Sequence, residues 1–296
     1  MTNAPKEDDT VHSQSSSRPI HIPGTRKFWT STIGALRDLI ARGLAACGIT
    51  PNVLTLLGLL ATCATAVCFF RGGGYLPAQL HEMGLPSYPM IGGIFLLVAC
   101  AMDMLDGAVA RIGKMATPLG AVLDSSVDRL SDAAIYIALV GHFALRGNLT
   151  YSLFAIIALT HAMLISYIKA RGECIIPDCG VGYWARPERC VAILSGAFGA
   201  GLCGTLWSQA ILPAFTVLRR LRWFHAALAA KEQGKPLPVK KPPTGLSGLL
   251  RPWRYPRGSL PFDVVSAINI AFAAIAPYLH PIFRPESDPL RSLLGS

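Results

Sequence analysis

DMLDGAVARIGKMATPLGAVLDSSVD, residues 103–128, is the most informative stretch of this chain. Two aspartates lie three positions apart at its start and two lie four positions apart at its end, so the members of each pair share one helix face. Two antiparallel helices joined by a short loop would direct both pairs into one volume. The four residues concerned are Asp103, Asp106, Asp124 and Asp128.

Acidic side chains are expensive inside a membrane helix. A carboxylate at the bilayer centre costs roughly 2.5 to 3.5 kcal/mol on the mildest scale, so these side chains must face a cavity, a partner or a metal ion. Converging carboxylates favour a hard divalent cation, Mg²⁺ or Mn²⁺. The stretch contains no His or Cys, which argues against zinc.

Small and basic residues accompany the aspartates. Gly107, Ala110 and Gly120 leave room for a planar base or a diphosphate to approach the backbone. Arg111 adds a planar guanidinium that suits phosphate oxygens. Together these features indicate a nucleotide diphosphate that is held by metal ions.

The whole chain has the composition of a membrane protein. Hydrophobic residues make up 52% of the 296 positions and charged residues only 15%, against about 25% in an average soluble domain. Runs of about 20 apolar residues can cross a bilayer. Because the Gly-rich segment 199–204 divides the last run into two helices, we expect an all-α fold with six transmembrane helices. The runs are 51–70, 90–111, 118–145, 149–169 and 190–218.

The segments around these runs have different characters. Residues 26–48 carry apolar side chains at helical spacing and predict an amphipathic helix on the membrane surface, which opens a membrane domain over 26–228. Residues 1–25 are polar and are expected to be disordered, and residues 229–261 form a basic Pro/Lys-rich linker. For the apolar segment 262–296 a surface-lying or partly inserted arrangement is favoured, with a seventh span as an alternative.

The formal net charge is +10, and the basic residues flank the apolar runs. Lys and Arg concentrate near both ends of the chain and in the loops after the second and fourth spans, which the positive-inside rule assigns to the cytoplasm. We therefore expect a multi-pass protein of the cell (inner) membrane, with both termini and the active site cytoplasmic. This distribution indicates contact with anionic lipid, and binding of nucleic acid is not expected.

Residues 103–128 resemble the signature of the CDP-alcohol phosphotransferase family. That pattern has two Asp, Gly, Ala-Arg, an eight-residue gap, Gly and two further Asp, and all eight fixed positions match here. The resemblance implies a metal-dependent enzyme, usually a homodimer, that transfers a phosphatidyl group from CDP-diacylglycerol to an alcohol and releases CMP. It also implies two Mg²⁺ or Mn²⁺ ions, with these ligands: Asp103, Asp106, Asp124 and Asp128.

The same resemblance assigns further roles. Asp128 would also act as the general base, and no Ser, His or Cys nucleophile is evident, so the acceptor hydroxyl should attack the β-phosphorus directly. Asn52 and Thr55, at the start of the first span, lie where the family also contacts the nucleotide. The other residues around the CDP group would be Gly107, Ala110, Arg111 and Gly120.

Cations at the ends of the later spans indicate an anionic acceptor, an alcohol that carries a phosphate. The stretches SYIKARGE at 166–173 and RPER at 186–189 resemble bacterial phosphatidylinositol phosphate synthases, which implies inositol 1-phosphate as the acceptor. By position its phosphate ligands would be Lys169, Arg189 and Arg220, with Arg171 and Arg186 nearby.

Two alternatives stay open. Glycerol 3-phosphate is also a phosphorylated alcohol, so a phosphatidylglycerophosphate synthase would present the same basic patch. Carboxylates inside a membrane also mark ion pathways, so an ion-coupled transporter is the alternative from another class. A transporter predicts internal repeats, and none is visible in the sequence.

Overall fold

The computed structural model of the chain describes residues 26–176, 180–238 and 259–295, which include no strand. Residues 1–25, which the sequence predicts to be disordered, and most of the predicted basic linker lie outside these ranges. The all-α prediction is confirmed for the described residues. The helices are α1 (Arg26–Ala46), α2 (Pro51–Gly72), α3 (Pro77–Glu82), α4 (Tyr88–Ile112), α5 (Pro118–Ala144), α6 (Leu149–Glu173), α7 (Arg186–Phe198), α8 (Cys203–Glu232), α9 (Leu260–Leu279) and α10 (Pro289–Leu293), with a 3-10 turn at Pro281–Phe283.

Local sequence signals account for several helix boundaries. α5 begins at Pro118, and the Thr117 side chain caps it by accepting a hydrogen bond from the Gly120 amide at 3.0 Å. The Gly-rich segment separates α7 from α8, as predicted. α8 continues to Glu232, so the predicted linker begins after that residue rather than at 229.

Helices α2 and α4 to α8 alternate in direction and form the central bundle. Its largest apolar cluster joins α2, α4, α5, α6, α7 and α8, with buried aromatic rings of Phe69, Tyr136 and Tyr151 among its members. A smaller cluster attaches α1 to one end of the bundle, where Ala41 packs with Leu105 of α4. This is also the end that carries the aspartates.

Four described helices are long and apolar enough to cross a membrane: α2, α4, α6 and α9. α7 has only 13 residues, about 20 Å, and α5 carries the second acidic pair. The six predicted spans therefore all exist as helices, but length and composition identify only three of them as membrane spans. That α1 lies on the membrane surface stays a prediction.

The C-terminal residues lie at the end of the bundle opposite α1. Arg291 donates a hydrogen bond to the Gly147 carbonyl in the turn between α5 and α6, at 3.1 Å. α9 runs from the aspartate end to this far end and so carries the chain across. The sequence predicts both termini on the active-site side of the membrane, whereas in the structure the C-terminal residues contact the end of the bundle opposite the aspartates.

Candidate active site

The candidate site lies where the C-terminal end of α4 meets the N-terminal ends of α2, α5 and α7. α4 contributes Asp103 and Asp106, and α5 contributes Asp124 and Asp128. Contacts of α4 with α2 and α7, and of α2 with α5, hold these ends together. The acidic pairs thus come from adjacent helices on either side of a short loop, as the spacing predicts.

Three of the four carboxylates form a tight cluster. One oxygen from each of Asp103, Asp124 and Asp128 lies within 4.8 Å of the others, and all three side chains are half-buried. A group of converging carboxylate oxygens with access to solvent suits a hard divalent ion such as Mg²⁺ or Mn²⁺. The donor set in the structure therefore fits the metal that the sequence predicts.

The fourth aspartate is held apart from this cluster. Asp106 is 5% exposed, and its Oδ2 accepts a hydrogen bond from the Thr55 hydroxyl at 2.7 Å. This bond directs the carboxylate toward α2. Three of the four predicted metal ligands thus form the tight cluster, and Thr55, which we expected beside the nucleotide, also orients Asp106.

Arg186 supplies a positive charge to the cluster. Its Nη1 lies 2.7 Å from Asp103 Oδ1 and 2.7 Å from Asp128 Oδ1. The sequence predicts Arg186 near the acceptor phosphate, but gives no sign that it contacts the aspartates. The contact arises because α7 packs on α4 and places its first residue over the acidic end.

A second ion pair lies one turn further along α5 and α7. Arg189 and Asp132 are hydrogen-bonded, and the Arg189 side chain is only 1% exposed. Gln209 of α8 donates to the Arg189 carbonyl at 3.1 Å and also bonds the Tyr136 hydroxyl. Arg189, predicted as a phosphate ligand, is therefore enclosed by the bundle and has no access to a soluble acceptor in this structure.

The remaining predicted phosphate ligands divide into two groups. Arg220 is buried, with Nε donating to the Val181 carbonyl at 3.0 Å and Nη1 bonding the Ile165 carbonyl, so it joins α8 to α6. Lys169 and Arg171 are exposed at the end of α6. Of the five basic residues, the structure leaves Lys169, Arg171 and Arg186 within reach of a ligand from solution.

Residues predicted to surround the nucleotide line the ends of three helices. A Cβ on Gly120 would lie 3.5 Å from Asn52 Oδ1, so α5 and α2 approach closely here. A Cβ on Gly107 would meet only Arg111 Nη1, at 3.7 Å, which shows that the space beside the aspartates is open. Ala110 is half-buried one turn from Gly107.

Comparison with known proteins identifies relatives. The family model for CDP-alcohol phosphatidyltransferase matches residues 48–218. Phosphatidylinositol phosphate synthase of Mycobacterium tuberculosis is 33% identical over 192 residues, 62% of this chain and 82% of the relative. Archaetidylinositol phosphate synthase of Methanothermobacter thermautotrophicus is 37% identical over 152 residues, 51% of this chain and 74% of that protein.

Solved structures show the same similarity. The crystal structure of the M. tuberculosis phosphatidylinositol phosphate synthase with CDP-DAG bound aligns with a TM-score of 0.52 and 31% identity, over 64% of this chain and 92% of that chain. The structure of that enzyme with manganese and citrate aligns with a TM-score of 0.50 and 32% identity, over 63% and 87% of the two chains.

The family match covers the part of the chain that builds the site. Residues 48–218 contain α2 to α7, the first half of α8, and every aspartate of the cluster. The acidic signature, the carboxylate geometry and the match over more than half of the chain agree. This protein belongs to the CDP-alcohol phosphatidyltransferase family.

Proposed function

We propose that this protein transfers the phosphatidyl group of CDP-diacylglycerol to inositol 1-phosphate and releases CMP. The observation that carries the proposal is the cluster of Asp103, Asp124 and Asp128 beside exposed cations at one end of the bundle. The relatives named phosphatidylinositol phosphate synthase, and the CDP-DAG bound to one of them, support the acceptor and the donor.

The acidic residues would hold two Mg²⁺ or Mn²⁺ ions, with Asp106 completing the set. When bound, such ions neutralise the diphosphate and stabilise CMP as it leaves. Asp128 takes the proton of the acceptor hydroxyl, whose oxygen bonds to the β-phosphorus while the bond from that phosphorus to the CMP oxygen breaks. The residues around the nucleotide are Asn52, Gly107, Ala110, Arg111 and Gly120.

Arg186 connects the metal site with the acceptor in this proposal. Its guanidinium and a divalent ion compete for the same oxygens of Asp103 and Asp128. With these oxygens occupied by a metal ion, the Arg186 guanidinium would lose its carboxylate partners while staying on the first turn of α7. There it can bind the acceptor phosphate together with Lys169 and Arg171.

The proposal also covers the location of the protein in the membrane and its oligomeric state. Helices α2 and α4 to α8 cross the cell membrane as six spans, with the aspartate end at the cytoplasmic face, where the soluble acceptor and CMP exchange. The apolar outward faces of α2 and α6 support contact with lipid. Two copies form a homodimer, as the family resemblance implies.

One assay tests the reaction. Purified full-length protein is supplied with CDP-diacylglycerol and Mg²⁺, and CMP release is followed with inositol 1-phosphate or with glycerol 3-phosphate. We expect turnover with inositol 1-phosphate, loss of turnover with EDTA, and recovery with added Mg²⁺ or Mn²⁺. A higher kcat/KM with glycerol 3-phosphate would reassign the protein as a phosphatidylglycerophosphate synthase, and metal-independent turnover would overturn the proposed site.

The role of Asp128 has its own test. Removal of a general base typically lowers the rate by 10²- to 10⁴-fold, so we expect Asp128→Asn to reduce kcat by about 10²-fold or more. Binding of CDP-diacylglycerol should largely survive, because the other aspartates remain. Asp38→Asn is the matched control, since Asp38 pairs with Arg37 on α1. Turnover of Asp128→Asn at the wild-type rate would remove Asp128 as the base.

A further inference from the structure

Helix α9 follows the region that matches the family, and it packs along α7 from one end of the bundle to the other. At the aspartate end, the Tyr183 hydroxyl donates to Ser266 Oγ at 3.0 Å, and the rings of Tyr183 and Phe262 lie 5.1 Å apart. At the far end, the Ala200 amide donates to the Ala274 carbonyl at 2.7 Å. α9 therefore runs parallel to α7 along the whole length of α7.

Glycines in the α7–α8 turn and in the first turn of α8 make room for this helix. A Cβ on Gly199 would lie 2.5 Å from the Ala274 carbonyl oxygen, and a Cβ on Gly204 would lie 2.5 Å from Ala276 Cβ. Ala273 and Ala276 are fully buried in the contact. Such close approach of backbones is typical of helices that pack inside membranes.

The other face of α9 is apolar and has no protein partner among the described residues. Ile268 is 63% exposed at the middle of the helix, and Val264, Ile275 and Leu279 are exposed along the same helix. Twenty residues span about 30 Å, the thickness of the hydrocarbon core. The one acidic or basic residue of α9, Asp263, lies in its first turn, at the end of that length.

The residues after α9 are fastened to the far end of the bundle. Asp288 accepts hydrogen bonds from the amides of Leu149 and Thr150, at 2.8 and 2.9 Å, and so caps α6 from another part of the chain. The side-chain amide of Asn148 donates through Nδ2 to the carbonyls of Pro285 and Ser287, at 2.9 and 3.0 Å. This far-end cap, residues 284–291, fixes where the chain emerges.

We infer that α9 is an additional transmembrane helix whose outward face contacts the acyl chains of the bilayer, and that it places the C-terminus on the membrane side opposite the active site. A surface-lying helix at the active-site side would leave residues 284–291 at the same end as α1. Their bonds to the start of α6, with the apolar face between, favour a crossing. The inference does not depend on which alcohol the protein uses.

Epitope accessibility in the full chain tests the crossing. One tag is added after Ser296 and, in a second protein, one is inserted at Gly234, an exposed turn that follows α8 at the aspartate end. Right-side-out and inverted membrane vesicles are probed with a membrane-impermeant protease. We expect the two tags to be cleaved from opposite faces, and cleavage of both from one face would overturn the inference.

A pair of arginine variants tests the lipid contact. Ile268→Arg places a charge at the middle of the outward face, whereas Leu293→Arg places one beyond α9 at a position that is 81% exposed. We expect Ile268→Arg to lower several-fold the fraction of C-terminal tag found on the membrane side opposite the active site. Leu293→Arg should leave this fraction unchanged. An unchanged fraction for Ile268→Arg would overturn the lipid contact, and Ile268→Leu should behave like the wild type. Turnover enters neither measurement, so the fate of the proposed reaction is tested separately.

Discussion

Arg186 lies outside the acidic signature but pairs directly with two of its carboxylates, those of Asp103 and Asp128. Three carboxylates with oxygens within 4.8 Å of one another repel, and its guanidinium relieves that repulsion by bonding two of them. A divalent ion offers the same relief with a higher charge. A metal ion at the proposed site would therefore replace Arg186 as the partner of Asp103 and Asp128.

This competition gives a prediction at a single residue. Arg186→Gln should lower the Kd for Mn²⁺ in the absence of lipid substrate by about tenfold, since one close charge pair is worth about 1.4 kcal/mol or more. It should also raise the KM for the acceptor. Titration with Mn²⁺ followed by electron paramagnetic resonance measures the first effect. Arg171→Gln, exposed at the end of α6, is the control for Mn²⁺ binding and should leave that Kd unchanged, and weaker Mn²⁺ binding by Arg186→Gln would contradict the competition.

Spacing along the sequence predicts which residues share a helix face, but it does not predict partners on other helices. The acidic pairs were therefore placed correctly on α4 and α5. The bond from Thr55 to Asp106 joins residues far apart in sequence, and the pairing of Arg189 with Asp132 depends on how α7 packs against α5. A buried arginine and a phosphate-binding arginine have the same sequence signature at the end of an apolar run.

Among the elements, the α7–α8 turn shows how small residues set helix packing. The sequence predicts a break between two helices at segment 199–204, and the structure confirms it; the glycines of this segment also allow α9 to approach closely. The sequence does not identify α9 as the helix that approaches this turn. α9 follows the basic linker, and it has no residue pattern that indicates where it packs. Its apolar composition fits a surface-lying helix and a buried span equally well.

The close contact at Gly204 gives a prediction for this element. Gly204→Ala adds a methyl group that would lie 2.5 Å from Ala276 Cβ, so α9 must shift outward. Overpacking of this kind costs about 1–3 kcal/mol, which should lower the Tm in detergent by several degrees. Gly43→Ala on α1 is the matched control, because nothing lies within 4 Å of the added atom. An unchanged Tm for Gly204→Ala would show that α9 does not pack as described.

For the whole molecule, the crossing inferred for α9 would put the basic linker and the C-terminus on opposite sides of the membrane, so the positive-inside rule would apply to the linker alone. The chain after α8 starts at the aspartate end, where Lys231 donates to the Ile175 carbonyl at 3.1 Å. Most of the basic residues of the tail precede α9, so they indicate the side on which α9 begins rather than the side on which the chain ends. An extra crossing after a basic segment reverses the terminus without changing the charge pattern.

The far-end cap gives one carboxylate, that of Asp288, a pH-dependent contribution to the stability of the molecule. Partial burial raises the pKa of Asp288, but hydrogen bonds from the Thr150 hydroxyl and from the amides of Leu149, Thr150 and Arg291 outweigh it, so the net pKa lies below the usual value. A lowered folded-state pKa means that the cap stabilises the protein fully above the unfolded-state value of about 3.9 and loses this contribution as the pH falls through the folded-state value.

Asp288→Asn should therefore lower the Tm at pH 7, by an amount near the lower end of the roughly 0.5–2 kcal/mol that a helix cap contributes, because the carboxylate is partly solvated. The difference in Tm between wild type and variant should shrink as the pH falls below about 4, where the unfolded-state carboxylate is protonated first, and should be lost below the folded-state pKa, where the folded carboxylate is neutral too. Thermal unfolding in detergent between pH 7 and pH 3.5 measures both effects. Asp38→Asn, at the other end of the bundle, should show no comparable convergence. A gap that stays constant across this range would mean that the side-chain shape of Asp288, rather than its charge, holds the C-terminal residues in place.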